Sequence, residues 1–418
     1  MKKIMPIILV CVLTIACAVR RAPEEIPKLK IGNGYPIVLV HGFGGWGRDE
    51  ILGYKYWGGI VDFQEELRKD GYEVYTAAIG PYSSNWDRAC ELYAYIKGGT
   101  VDYGEAHSKE FHHQRYGRTY PGLYQNWDAD NRIHLIGHSQ GGQTVRVLVQ
   151  LLAQGSQAEI DAAPVGESSS LFYGGKAWVH SVTTISTPHD GTALADVTDN
   201  LVIVGQRLVG TIAAITPKTE YFFDIKADQW GISREPGESF LKYMQKVNES
   251  AIWEKTKDIS NYDLSTEGAK KLNTWVKAQP NVFYFSWATE QTVKSPITGH
   301  QIPEIKMNPI LFSSSFLLGS YTRNKPDQVV IDESWWQNDG LVSVISMDGP
   351  TIGSTDQIVP FNGIAQKGVW NYMGLLDSCD HADIIGVLRY PGEDCPKGYR
   401  TLLDWYKFLA ALLIKLPK

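Results

Sequence analysis

Long apolar runs are missing from this 418-residue sequence beyond its first 20 residues. None approaches the roughly 20 residues that a membrane-spanning helix needs. Excess positive charge is missing too: 40 Lys and Arg stand against 46 Asp and Glu, a formal charge of −6. A chain so balanced carries no electrostatic footprint for nucleic acid. Cysteine is scarce, five in all, so the fold does not depend on a dense disulfide scaffold. No internal repeat is visible. What the chain does have is 43% hydrophobic and 11% aromatic residues. That excludes a disordered chain, which could not bury enough apolar surface to offset its ordering entropy.

The first 18 residues are a different object. Lys2 and Lys3 precede the apolar run Ile4 to Ala16, which is too short to span a bilayer and is shaped like a secretory signal. Ala16-Cys17-Ala18 has the form of a signal-peptidase site, while Leu13-Thr14-Ile15-Ala16-Cys17 resembles a lipobox that would make Cys17 a lipidated N-terminus. Both readings stand, and both predict export. Without this segment the body carries −6 − 2 = −8. Residues 19–34, charged and bearing Pro and Gly, read as a linker. Of the three cysteines in the body, Cys379 and Cys395 are close enough in sequence to bridge one loop. Cys90 would be left as a buried thiol.

From residue 35 onward the chain reads as one α/β domain. Apolar runs of strand length lie at Pro36–Val40, Tyr72–Ile79, Arg132–Gly137, Trp178–Ile185 and Val282–Trp287. Such runs, separated by helix-length segments, predict a mostly parallel sheet with crossover helices. A helix is expected over Gln140–Gln154. Residues 82–128, rich in aromatics, Gly and His but without a clear strand, and residues 192–275, long and polar, read as insertions. In open α/β sheets the site lies beyond the carboxyl ends of the strands, where insertions would cover or shape it.

The most informative stretch is Ile133 to Gly142, IHLIGHSQGG. A strand runs into G-x-S-x-G and a helix leaves it, the context of a nucleophile elbow centred on Ser139. Gly137 and Gly141 are needed because a Cβ at either place would collide with a neighbouring element. A serine hydroxyl needs a base to take its proton, and this architecture supplies its partners in the order Ser, acid, His. His180 and His189 come too early; His300 has Glu290 upstream; His381, just before a C-terminal helical segment, is the best candidate. Asp339, in a turn with an apolar run behind it, suits the acid, with Asp332, Asp348 and Asp356 as competitors. The backbone N–H groups of Gln140 and of Phe43, in the Gly-rich loop after the first strand, are candidate oxyanion donors.

Three histidines, His107, His112 and His113, fall within seven residues alongside Asp102, Glu105 and Glu110. The order H-E-x-x-H is absent, which argues against a catalytic zinc peptidase. Two imidazoles with one or two carboxylates would still make a four-coordinate zinc site. The spacing does not decide which two histidines bind.

These residues carry a resemblance. HGFGGWGRDE (41–50), YKYWGG (54–59), SSNWDRACE (83–91), GGTVDYGEAH (98–107), HSQGGQT (138–144), TTISTPHDGT (183–192), DQWG (228–231) and NDGLV (338–342) together resemble the zinc-containing lipases of thermophilic Bacillus and Geobacillus type, with staphylococcal lipases as more distant relatives. The resemblance runs from about Tyr35 to about Val387. It implies an α/β-hydrolase fold with a zinc-binding insertion and a helical lid insertion, and a secreted enzyme that hydrolyses triacylglycerols or other esters at a lipid–water or polymer interface. It places the triad on Ser139, Asp339 and His381, the oxyanion donors on Phe43 and Gln140, and the zinc ligands on Asp87, His107, His113 and Asp228. His112 becomes a bystander, and Trp86 and Trp230 should pack around the metal. There are departures: Gly137 stands where many thermophilic members have Ala. In the family's calcium site one acidic position is matched by Asp383, but Leu388 replaces the other and Ser295 a main-chain glycine. The insertion is also shortened between Thr192 and Tyr221. A short-chain carboxylesterase or polyester hydrolase is therefore the alternative within the same chemistry.

Overall fold

The computed structural model describes residues 32–197, 223–235, 237–250, 252, 256–389 and 395–418. The leader expected at 1–18, Cys17, the linker up to residue 31 and much of the shortened insertion lie outside the described residues. In chain order the strands are β1 (Ile37–Val40), β2 (Val74–Thr76), β3 (Gly99–Asp102), β4 (Tyr116–Tyr120), β5 (Ile133–His138), β6 (Val179–Ile185), β7 (Phe283–Glu290), β8 (Thr292–Lys294), β9 (Gln301–Pro303), β10 (Ile358–Pro360) and β11 (Trp370–Asp377). Seven of them form one sheet in the order β10-β11-β7-β6-β5-β1-β2, parallel throughout. This is the α/β-hydrolase arrangement.

The sheet is buried on both faces, which is why its central strands read as unbroken apolar runs. Alternate residues of β1 serve different cores. Ile37 and Leu39 pack with Trp57, with Phe63 of helix α1 (Phe63–Lys69) and with Trp405, whereas Val38 and Val40 pack with residues of the helices α2 (Asn85–Lys97) and α4 (Gln140–Gln154). All four residues of β1 are fully buried or nearly so, and each such side chain contributes about 1.5–3 kcal/mol by leaving water. Among the described residues no helix is long and apolar enough to cross a membrane.

Five of the seven sheet strands lie where apolar runs predict them. β10 and β11 do not announce themselves. The first is three residues ending in Pro360, and the second is interrupted by Asn371 and Gly374 and shifts register between Tyr372 and Leu375. The segment 82–128 also differs from expectation. Besides α2 and the short helix α3 (Glu105–Phe111) it holds an antiparallel ribbon of β3 and β4. Its strands are mostly polar and partly exposed, so no apolar run marks them.

Candidate active site and metal centre

Ser139 sits between β5 and α4 with φ 55° and ψ −130°, a left-handed turn that lifts its side chain off the sheet. The turn needs its glycines. A Cβ on Gly137 would lie 2.5 Å from the Gly141 backbone, and one on Gly141 would lie 2.3 Å from the carbonyl of Val40. Gly42, in the loop after β1, is equally constrained, because a Cβ there would stand 2.6 Å from Ser139 Cβ. The loop therefore lies directly against the serine. Its next residue is Phe43, and Gln140 opens α4, where backbone N–H groups have no intrahelical partner.

Tyr56 joins this loop to the elbow. Gly42 N–H donates to the Tyr56 hydroxyl at 2.9 Å, and that oxygen is 2.6 Å from His138 Nδ1. Having accepted from Gly42, the hydroxyl spends its own proton on His138, which burial and then neighbouring His381 hold neutral by lowering its pKa.

His381 follows β11. Its Nδ1 is 2.7 Å from Asp339 Oδ2, so the ring donates there and leaves Nε2 as its lone pair. Asp339 is fully buried. Its Oδ1 accepts from the backbone of Leu341 and Val342, and its Oδ2 also accepts from Thr289 Oγ1 of β7 at 2.8 Å. The main chain adds a tie, from His381 N–H to the Asp339 carbonyl at 2.9 Å. The other candidates are engaged elsewhere. Glu290 accepts from Thr292, His189 is buried against Trp370, and the half-buried His300, just before β9, meets Trp336. Cys379, two residues before His381, is disulfide-bonded to Cys395, and Cys90 is a buried free thiol.

Ser139 and His381 line the same cleft, whose walls are almost entirely apolar: Phe43, Leu264, Ile310, Leu311, Leu341, Val342 and Ile385. Such a cleft accepts a hydrocarbon chain and offers a charged ligand little.

A second cluster gathers around Asp87 of α2. One ligand atom each from Asp87, His107, His113 and Asp258 can be chosen so that all four lie within 4.8 Å of one another. His107 Nε2 is 3.2 Å from Asp87 Oδ1 and 3.1 Å from Asp258 Oδ1, and His113 Nε2 is 3.2 Å from Asp258 Oδ2. Asp87 Oδ1, His107 Nε2, His113 Nε2 and Asp258 Oδ2 are all buried without a well-formed hydrogen bond. His113 Nδ1 already faces the carbonyl of Gln114 at 2.8 Å, which leaves Nε2 as the nitrogen that faces the cluster. Burial opposes charging His107, yet the close carboxylates of Asp258 and Asp87 outweigh it and push its pKa up to about 10. The two carboxylates thus demand a positive charge between them, and two nitrogen with two oxygen donors around one point suit a metal cation. Trp86 stacks on the His107 ring at 5.1 Å, Trp230 packs on His113 at 4.8 Å, and His112 is exposed at the end of α3.

Asp258, not Asp228, completes this cluster. Asp228 lies on the short turn Asp228–Trp230 and faces outward, where Arg118 of β4 forks onto its carboxylate. The residue of that turn that points inward is Gln229, whose Nε2 donates to Asp87 Oδ2 at 2.8 Å. The DQWG motif therefore marks the right turn and the wrong residue. Asp258 carries no local signal of its own. It arrives because Ile259 pairs with Ser83, just ahead of Asp87.

Strained serine, imidazole–carboxylate pair and apolar cleft are the equipment of a hydrolase of the α/β class. A family model described as the lipase-like C-terminal domain matches residues 33–418, and the chain belongs to that family. It is 38% identical over 397 residues to Lipase 1 of Staphylococcus aureus (strain MRSA252), covering 92% of this chain and 55% of that protein. The chain thus spans about half the length of the curated relatives it matches. Among solved structures it is similar to EstA from Clostridium botulinum, with a TM-score of 0.87 and 52% identity over 95% of this chain and 92% of that one. Lipase 1 from Pelosinus fermentans has a TM-score of 0.80 and 52% identity over 92% and 99%. The expected lipase family is thus shown; the similar proteins named above are staphylococcal, clostridial and Pelosinus ones, none of Bacillus or Geobacillus type.

Proposed function

We propose that this protein is an exported serine carboxylic-ester hydrolase, a triacylglycerol lipase, that works through Ser139, His381 and Asp339. The observation that carries the reading is that His381, which shares an apolar cleft with Ser139, has its Nδ1 2.7 Å from the buried Asp339 Oδ2. His381 Nε2 takes the Ser139 proton as Oγ attacks the ester carbonyl, and Asp339 fixes the tautomer and stabilises the imidazolium. The Phe43 and Gln140 N–H groups hold the oxyanion. Collapse expels the alcohol, protonated by His381, and water then repeats the cycle on the acyl-enzyme. Asp87, His107, His113 and Asp258 would hold zinc, whose contribution is a structural cross-link and not a Lewis acid for the ester. The positively charged, apolar segment at residues 1–18 supports export.

Ser139→Ala tests the assignment. Ester turnover should fall by on the order of 10⁵–10⁶ while fold and metal content persist, and wild-type protein should be silenced stoichiometrically by a serine-directed phosphonate. Appreciable turnover by the variant defeats the reading, and a metal-dependent, phosphonate-resistant activity on peptides would replace it with a zinc peptidase. A chain-length profile on soluble and emulsified esters then separates a lipase from a short-chain esterase or polyester hydrolase.

A further inference from the structure

Residues beside the metal ligands meet the oxyanion hole at the first turn of α4. The side-chain amide of Gln140, fully buried, sits in a closed triangle. Its Nε2 donates to the Ser83 carbonyl at 3.2 Å, and Ser260 Oγ lies 2.9 Å from Gln140 Oε1 and 2.8 Å from the same Ser83 carbonyl. Ser83 is four residues before Asp87, and Ser260 is two residues after Asp258. The two strips are laced together by the Ser83–Ile259 bridge, by Ser260 N–H donating to the Tyr82 carbonyl, and by Asn85 N–H donating to Asp263.

A second set of contacts reaches the other oxyanion donor. Arg88 follows Asp87 on α2 and is fully buried. Its Nε donates to Thr144 Oγ1 at 2.9 Å, its Nη1 to the Gly80 carbonyl at 2.6 Å, and its Nη2 to the carbonyl of His41, two residues before Phe43. A guanidinium held by three acceptors in a plane fixes those acceptors relative to one another. The residues next to the metal ligands thus hold both ends of the hole.

We propose that Ser260 and Arg88 are positioning residues of the oxyanion hole, kept in register with it by closure of the Asp87–His107–His113–Asp258 centre. The proposal rests on the ester-hydrolase reading, which wild-type turnover decides by itself; every comparison below is made within an active enzyme. Transition-state donors must lie where the oxyanion will form, and a misplacement of about 1 Å can cost on the order of 10²-fold. A metal site outside the cleft would then set the rate through geometry, with no part in any chemical step.

The test uses a soluble short-chain p-nitrophenyl ester and a boronic acid that forms a tetrahedral adduct with the serine. In Ser260→Ala, kcat and boronate affinity should each fall about tenfold, less than the roughly 10²–10³ lost when an oxyanion donor itself is removed. KM should stay within about twofold, as it does when an interaction is lost only in the transition state. Metal content should be unchanged, and Ser260→Thr should restore both losses. Stripping metal from the wild type with a chelator, at a temperature where circular dichroism shows it still folded, should reproduce the loss in boronate affinity and add nothing further in Ser260→Ala. That arm uses the unaltered chain and decides the matter if the alanine variant does not fold. Wild-type boronate affinity in either Ser260→Ala or the folded, stripped protein overturns the proposal.

Discussion

Around Ser139 the sheet does the holding, whereas the metal centre stands outside it. Ser139, Phe43 and His381 follow β5, β1 and β11, and Asp339 is pinned from β7 through Thr289. Asp87 and His107 lie on α2 and α3, His113 follows α3, and Asp258 precedes the short helix Ser260–Asp263. The first region inherits its precision from strands buried on both faces. The second has two carboxylates and two imidazoles facing one point, an arrangement that a shared cation would reconcile. One region is organised by packing and the other by charge, so they should fail differently.

The largest expected effect falls on the packed region. Asp339→Asn keeps the volume but removes the charge that favours the imidazolium and selects the tautomer, so kcat should drop by about 10⁴. Metal content should not move. Saturating kinetics on a soluble ester check this, and a loss under tenfold would show that Asp339 does not orient His381.

Asp258→Ala should strike the other region in the opposite sense. With one carboxylate gone, metal binding fails and a buried charged cluster is left unbalanced, a change that costs about 3–5 kcal/mol. Denaturant unfolding with elemental analysis measures both, and full metal retention with unchanged stability would show that Asp258 is not a ligand. The fall in kcat at low temperature should stay far smaller than that of Asp339→Asn, since only the placement of the oxyanion donors is disturbed.

The same contrast decides what could be read from the sequence. The elbow is local: strand, Gly137, Ser139, Gly141 and helix are contiguous, and steric necessity writes them into one short string. Asp339 and His381 are single residues of ordinary loop chemistry, so chain order narrows the choice and only the family resemblance selects them. β10 and β11 stayed hidden because an edge position with Pro360, Asn371 and Gly374 leaves no apolar run. Asp258 was illegible for a different reason. Its role depends on a pairing between Ile259 and Ser83, residues far apart in sequence, and no local pattern encodes that approach.

Asp228→Ala should have the smallest effect, and it separates the two aspartates most sharply. Its carboxylate is paired with Arg118 on a partly exposed surface, and such pairs contribute about 0–1 kcal/mol. Arg118 keeps a partner in Asp224, 2.6 Å away, so the guanidinium is not stranded. Gln229 still holds Asp87 from the same turn, and the four donors are untouched. Metal content by elemental analysis should therefore match the wild type in Asp228→Ala and vanish in Asp258→Ala. The reverse pattern would mean that the turn rotates by one residue when the cation binds, bringing Asp228 inward at the cost of its contact with Arg118.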